Sequence, residues 1–309
     1  MRFLIVKDPV TDVQRSRAVE GVYEVLHKFV DTQIVSTDDL TRSVLKDDII
    51  FNLAIGKRND FLQGDIAAFC QMSGNEYVGS PPYTHYLCLD KFATKQILKA
   101  YGIKTPQGIL YDGKTFRGKL SIPAIIKPVA EGSGIGIDDK SLCYDVDELK
   151  ERVVDKFKKL NEPILIERFL DGPEITVGVI GSENNLMVLP ELEIDFSNLP
   201  EGIERYYSQR VKENFGSQTI YRCPSDFNEK VRDRIRKVAI KSFEAVKARD
   251  YVRMDMRIVN EIPYVIEINS MPGLDPLTSD LPKMVKPLNK DYEWLIKAII
   301  KRVIEKEGG

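Results

Sequence analysis

Two apolar–polar alternations near the C-terminal end constrain this 309-residue chain more than any other feature. From Val252 to Val259, Arg253, Asp255 and Arg257 alternate with Val252, Met254, Met256 and Ile258. From Tyr264 to Asn269, Glu267 and Asn269 alternate with Ile266 and Ile268. A period of two sends successive side chains to opposite faces of a strand, so each segment has one apolar face and one face of oxygen ligands. If Asn260 to Pro263 closes a hairpin with Asp255 opposite or diagonal to Glu267, then Asp255, Glu267 and Asn269 converge. Two carboxylates and an amide oxygen suit a hard divalent cation such as Mg²⁺, which leaves its other positions to water and substrate phosphates. The same spacing also describes an exposed sheet face with a salt bridge from Arg253.

The rest of the chain narrows the chemistry by exclusion. Lys plus Arg number 45 and Asp plus Glu 47, a net charge of −2, so no global field attracts a nucleic acid or an anionic membrane. Any phosphate must be held locally. The cysteines, Cys70, Cys88, Cys143 and Cys223, lie too far apart for a Cys-x-x-Cys site and are too few for a disulfide framework. His27 and His85 stand apart from each other and from the cysteines, which disfavours zinc chemistry and a histidine relay. Carboxylates, lysines, arginines and a bound metal remain as working groups. No apolar run approaches the roughly twenty residues of a spanning helix, and Lys7-Asp8-Pro9 follows Met1 to Val6 in place of a signal core, so a soluble cytoplasmic protein is expected.

Short apolar runs at Phe3 to Val6, Thr32 to Val35 and Ile49 to Leu53, separated by a helix near Arg15 to Phe29, indicate buried parallel strands up to a break at Gly79-Ser80-Pro81-Pro82. Asp90 is placed to cap a helix that Gly102 closes, with Phe92, Ile97 and Tyr101 on its apolar face. Lys91 falls in the first turn, where the helix dipole disfavours a cation, a placement that hints at a use beyond stability. A strand at Ala124 to Lys127, a helix from Asp145 to Leu160 and a strand at Ile164 to Glu167 follow. A β-rich stretch spans Thr176 to Glu193, and a polar loop Asn198 to Gly216. Asp226-x-x-Glu229 has the spacing of a capping box for a helix with Val231, Ile235, Val238, Ser242 and Val246 on one stripe. The basic residues between Lys230 and Lys241 alternate with that stripe as a solvated face does, which disfavours a nucleic-acid role. A last amphipathic helix runs from Tyr292 to Ile304. The segment Lys127-Pro128-Val129-Ala130-Glu131-Gly132-Ser133-Gly134-Ile135-Gly136 is either an ordinary glycine-rich turn or one whose amides cover phosphates beside Lys127.

Taken together and in order, these segments resemble the ATP-grasp superfamily, and within it D-alanine–D-alanine ligase and its relatives. The resemblance covers about Gly79 to Lys283. Asp90 to Lys95 resembles the helix carrying the first ATP lysine, Lys91. Lys127 with Glu131-Gly132-Ser133 is similar to the second lysine and the phosphate-covering loop. Glu167 to Glu174 resembles the segment between the ATP-holding domains, where the backbone of Arg168 and Leu170 would read adenine and Glu174 would hold ribose. The resemblance assigns Asp255 to one Mg²⁺, Asn269 to the other and Glu267 to both, with Mn²⁺ as a substitute metal. Arg253 and the amide of Gly273 would stabilise the oxyanion, Lys212 would close over the terminal phosphate, and Ser279 or Thr278 would hold the second substrate's carboxylate.

What this implies is an α/β (α+β) chain with the ATP-grasp fold in three subdomains: residues 1–85, a central unit 86–175 covering ATP, and a unit 176–309 carrying metal and substrate sites. The implied activity is an ATP-dependent carboxylate–amine ligase working through an acyl phosphate on small-molecule substrates, in a homodimer. The alternative is a non-catalytic ATP-binding regulatory protein, which the presence of Arg253 disfavours. The chain departs from the family at its start. Val6 to Asp12 lacks the family's glycine pair and the glutamate for the first ammonium, Leu53-Ala54-Ile55-Gly56 replaces a histidine–glycine segment, and Glu213 follows the loop lysine where tyrosine is expected.

Overall fold

Three sheets organise the computed structural model, which describes residues 1–56, 61–132, 134–182 and 185–307. The first is parallel: β1 (Arg2–Lys7), α1 (Val13–Leu26), β2 (Asp31–Ser36), α2 (Leu40–Ser43), β3 (Asp48–Asn52), α3 (Leu62–Ser73) and β4 (Tyr77–Val78) give the strand order β2-β1-β3-β4. Phe3 and Ile5 face a core shared with α1, and Leu4 and Val6 face one shared with Ile66, Ala67 and Cys70 of α3. Burial on both faces is why these strands read as unbroken apolar runs. Helix α1 starts ahead of the expected Arg15 because Asp12 caps it, accepting from the Arg15 amide at 2.8 Å, and it ends at Leu26 rather than Phe29.

Helices α4 (Pro82–Leu89) and α5 (Lys91–Ala100) lead to the second sheet, formed by β5 (Gly108–Tyr111), β6 (Phe116–Arg117), β7 (Ala124–Pro128), β8 (Leu142–Cys143) and β9 (Ile164–Arg168), with α6 (Val146–Leu160) before β9. Its order is β6-β5-β9-β7-β8, antiparallel throughout. Leu149 and Val153 of α6 close one face against Ala124, Ile126, Ile164 and Ile166.

The third sheet contains β10 (Glu174–Ser182), β11 (Asn185–Val188), β12 (Leu192–Asp195), β13 (Ile220–Arg222), β14 (Asp250–Val259) and β15 (Ile262–Asn269), interrupted by α7 (Gln209–Asn214) and α8 (Glu229–Ala245) and followed by α9 (Asp280–Val285) and α10 (Tyr292–Glu307). The path is β13-β12-β10-β14-β15, with β11 on β10. Helix α8 packs Val231, Ile235, Ala239 and Phe243 against Val177, Val252 and Met254. Helix α10 packs Leu295, Ile299 and Val303 into the core that holds Phe3, Ile5 and Phe51, so the two ends of the chain share one core. Among the described residues no helix is long and apolar enough to cross a membrane.

Four local expectations are corrected. The cap of α8 is Asn228, which accepts from the Val231 amide at 3.1 Å, and not Asp226. The stripe of α8 buries Ala239 and Phe243 and leaves Val238 only partly covered. The polar stretch 198–216 is not all loop: Ser208 caps α7, and Leu199, Tyr206 and Val211 are buried. The buried face of α5 is Lys91, Thr94, Lys95 and Leu98, whereas Tyr101 is 49% exposed and Phe92 and Ile97 are only partly buried.

Candidate active site

Strands β14 and β15 bring the polar face together. The turn residues Asn260 and Glu261 both have positive φ, 50° and 59°, the backbone of a tight hairpin turn. Register places Arg253 opposite Asn269 and Asp255 opposite Glu267, then slips between Asp255 and Met256 so that Met256 faces Val265. Ile266 is the extra residue, a bulge of the kind that re-aims groups at a sheet's functional edge. The Arg253 guanidinium donates to both Asp255 oxygens at 3.0 and 3.1 Å and stands 3.4 Å from Asp280. Burial, against the pull of Arg253 and with the push of Glu267, raises the Asp255 pKa above the usual carboxylate range. Burial would raise Glu267 as well, but Lys91, Lys127 and Arg253 hold it low.

Two facing carboxylates that repel one another are what a divalent cation relieves. Among the described residues no group of three His, Cys, Asp or Glu gathers at one point. The hairpin thus offers a half-shell of Asp255, Glu267 and the Asn269 amide oxygen, which also accepts from the Met271 amide at 3.1 Å. Such a set fits Mg²⁺, an ion that keeps waters and phosphates, better than a fully protein-caged metal.

Across from the hairpin lies a buried lysine cluster. Lys91, Lys95 and Lys127 are 7%, 2% and 4% exposed, and Glu167 1%. Lys91 reaches the Val129 carbonyl at 3.5 Å, bonds the Glu131 carbonyl and stands 3.8 Å from Glu267. Capping by Asp90, which accepts from the Ala93 amide, sets the first turn that aims it. Lys127 lies 2.6 Å from one oxygen of Glu167 and Lys95 2.7 Å from the other. Burial lowers the Lys91 and Lys95 pKa values, Lys95 to about 8. Lys127 is raised in spite of its burial, because Glu167 and Glu267 both face it. Burial opposes the charge on Glu167 too, yet Lys127 and Lys95 hold its pKa below the ordinary value. Buried charges persist only when paired in this way. Lys95 is the residue sequence reasoning missed. Its signal was the four-residue step from Lys91, which puts both lysines on one helix face.

Toward the start of β10, Glu174 accepts from Arg257 at 2.6 Å. Arg257 also donates to the carbonyls of Leu170, Gly172 and Arg205 at 3.1, 3.3 and 3.3 Å, and its guanidinium lies over the Phe169 ring. The Arg168 amide donates to Gln107 at 2.8 Å, so backbone at both Arg168 and Leu170 is already partly engaged. Glu131 is buried, and Ser133 lies outside the described residues. Lys212 is exposed, with its ammonium 5.4 Å from the centre of the Tyr207 ring. Although the side chain keeps solvent contact, crowding by protein and then Arg253 lower its pKa, with Asp280, Asp255 and Glu267 opposing, which puts its ammonium within electrostatic reach of the hairpin.

The segment after β15 forms the remaining wall. A Cβ on Gly273 would come within 2.9 Å of the Ser279 hydroxyl, so the absence of a side chain lets the two segments touch. Ser279 accepts from the Asp275 amide at 2.9 Å, and Thr278 donates to the Asp275 carboxylate at 2.5 Å. Asp275 is buried and bound by Arg17 of α1 at 2.5 Å. The turn after β1 is held similarly: Asp8 accepts from the Ile55 and Gly56 amides at 3.1 and 3.0 Å, with Arg15 at 3.6 Å.

Comparison with known proteins adds the context of this geometry. The family model described as D-ala D-ala ligase C-terminus matches residues 110–301. The chain is 31% identical over 228 residues to an uncharacterized protein of Sinorhizobium fredii, a match covering 73% of this chain and 66% of that one. It is 29% identical over 261 residues to a D-alanine–D-alanine ligase of Aquifex aeolicus, covering 83% and 82% of the two. Among solved structures, the D-alanine–D-alanine ligase from Bacillus anthracis complexed with ATP superposes with a TM-score of 0.78 at 22% identity over the full length of both chains. The VanG D-Ala:D-Ser ligase from Enterococcus faecalis gives 0.76 at 17% identity, covering 97% and 98%.

Proposed function

The chain belongs to the D-alanine–D-alanine ligase family, and from that membership we propose that it joins a small carboxylic acid to an amine at the expense of ATP, through an acyl phosphate. It is an ATP-dependent ligase of the ATP-grasp fold that uses ATP with Mg²⁺. The observation that carries the reading is the pairing of Asp255 with Glu267 two rungs from Arg253 and Asn269, on the same face, with Lys91 3.8 Å from Glu267.

Phosphoryl transfer demands positioning and charge compensation more than a protein nucleophile, which these residue types supply. Asp255, Glu267 and Asn269 would hold two Mg²⁺ ions, whose positive charge neutralises the transferring phosphoryl group. Lys91 and Lys127 bind phosphate oxygens from the buried side and Lys212 covers them from the open side; Ser133, by resemblance, assists in phosphate binding. The backbone near Arg168 and Leu170 reads the base, Glu174 holds the ribose, and Glu131 belongs to the covering loop. Arg253 and the Gly273 amide hold the oxygen that turns anionic when the amine adds to the acyl carbon. Ser279 or Thr278 holds the second substrate's carboxylate.

The reading keeps three units, 1–85, 86–175 and 176–309, with the nucleotide between the second and third, and a cytoplasmic homodimer. It is tested by a phosphate-release screen over pairs of D- and L-amino acids and hydroxy acids with ATP and Mg²⁺, followed by mass measurement of the product. Release that requires both partners of a pair, with a product of their summed mass less one water, supports it. Substrate-independent hydrolysis, or none with any pair, counts against it.

A further inference from the structure

The proposed phosphate contacts employ Lys91 and Lys127 and leave Lys95 without a task, although it is as deeply buried as any lysine of the cluster. Its ammonium is fixed on three sides: Glu167 at 2.7 Å, the Thr105 hydroxyl at 3.4 Å and the carbonyl of the bulge residue Ile266. Lys127 touches the same carboxylate at 2.6 Å through the other oxygen. Glu167 therefore has two countercharges where one would neutralise it.

That surplus has a consequence when an anion enters. A buried carboxylate left without a cation is strongly unfavourable, so a lysine that is its sole partner resists being drawn away. A second, immobile lysine removes the obstacle. We propose that Lys95 is a positioning residue that retains the charge of Glu167 while Lys127 turns its ammonium to a phosphate oxygen of the nucleotide. No bond is made or broken; one cation is shared out differently among three anionic groups. Thr105 and the Ile266 carbonyl keep Lys95 from following Lys127, which is how two lysines on one carboxylate come to differ in role. This inference rests on the nucleotide reading of the cleft.

Binding of ATP and of adenosine by calorimetry, without acyl substrate, tests it. Lys95→Met is expected to weaken ATP by about 10- to 100-fold, less than the full cost of an uncompensated buried charge because Lys127 is then divided between Glu167 and the phosphate, and to leave adenosine, which has no phosphate to receive Lys127, within about threefold of the unaltered protein. Adding Glu167→Gln to Lys95→Met is expected to bring ATP affinity to within about threefold of Glu167→Gln alone, because Lys95 acts only through that carboxylate. This second comparison stands even if Lys95→Met alone does not fold. Equal loss of ATP and adenosine, or a tenfold gap between the double variant and Glu167→Gln, would overturn the role of Lys95. No ATP binding by the unaltered protein would remove the nucleotide reading and this proposal together.

Discussion

In the half of the site around α5 and the β14–β15 hairpin, Lys91, Lys95 and Lys127 are buried around Glu167 and Glu267, and Glu167 has more cationic partners than neutrality needs. In the half facing the first sheet, Asp8 and Asp275 are buried as well, but each carboxylate is used up holding chain segments together: Asp8 ties the turn after β1 to Ile55 and Gly56, and Asp275 ties Arg17 to Thr278 and the Leu277 amide. The first arrangement leaves positive charge to offer an incoming anion. The second shapes a wall. The departures from the family's ammonium-binding residues fall on that wall.

The largest expected effect lies at the hairpin. Asp255→Asn or Glu267→Gln should lower substrate-dependent phosphate release by about a thousandfold or more, since each removes a charge that the transition state requires. Retention of a tenth of the activity would mean that the carboxylates are structural, and the contrast between the halves would vanish. Next comes Arg17→Met. Breaking a buried pair is destabilising, but Arg17 is 31% exposed and solvent screens the pair, so a modest fall in the unfolding midpoint is expected. Denaturant unfolding measures it, with ATP affinity unchanged and the KM of the second substrate raised. A fall in ATP affinity as well would show that the halves are not independent.

The smallest effect is the acid limb. Asp275, in spite of its burial, is held below its ordinary value of 3.8 by Arg17, Thr278 and the Leu277 amide. A carboxylate with a lowered folded pKa contributes stability that is complete above its unfolded pKa and is lost as pH falls through the folded one. Asp275→Asn should therefore flatten stability against pH below about pH 4, read from urea midpoints between about pH 5 and 2.5. An unchanged slope would assign the limb to other acids.

Much of this was legible because strand periodicity is strict. Once Asp255 and Glu267 alternate with apolar residues, hairpin closure leaves little freedom over which face they share. The bulge at Ile266 was not legible, since alternation on either side of a slip looks the same. Helix α5 misled for a different reason. Its apolar residues nominate Phe92, Ile97 and Tyr101 as the inner face, yet the inner face carries Lys91 and Lys95, whose partners Glu167 and Glu267 come from strands far along the chain. Local hydrophobicity cannot report a pairing made at that distance. Asp226 and Asn228 are both good caps two residues apart, and only the backbone decides between them.

The shared core has a consequence for how the molecule is made. One face of the first sheet, bearing Phe3, Ile5 and Phe51, is completed by α10 together with Tyr251, and Arg302 of α10 locks Asp250 and the Tyr77 carbonyl at 2.7 and 2.6 Å. Helix α1 covers part of that face as soon as it forms, and the remainder stays uncovered until α10, far along the chain, has been made. Residues 1–85 expressed alone should aggregate, and loss of α10 should unfold the first sheet.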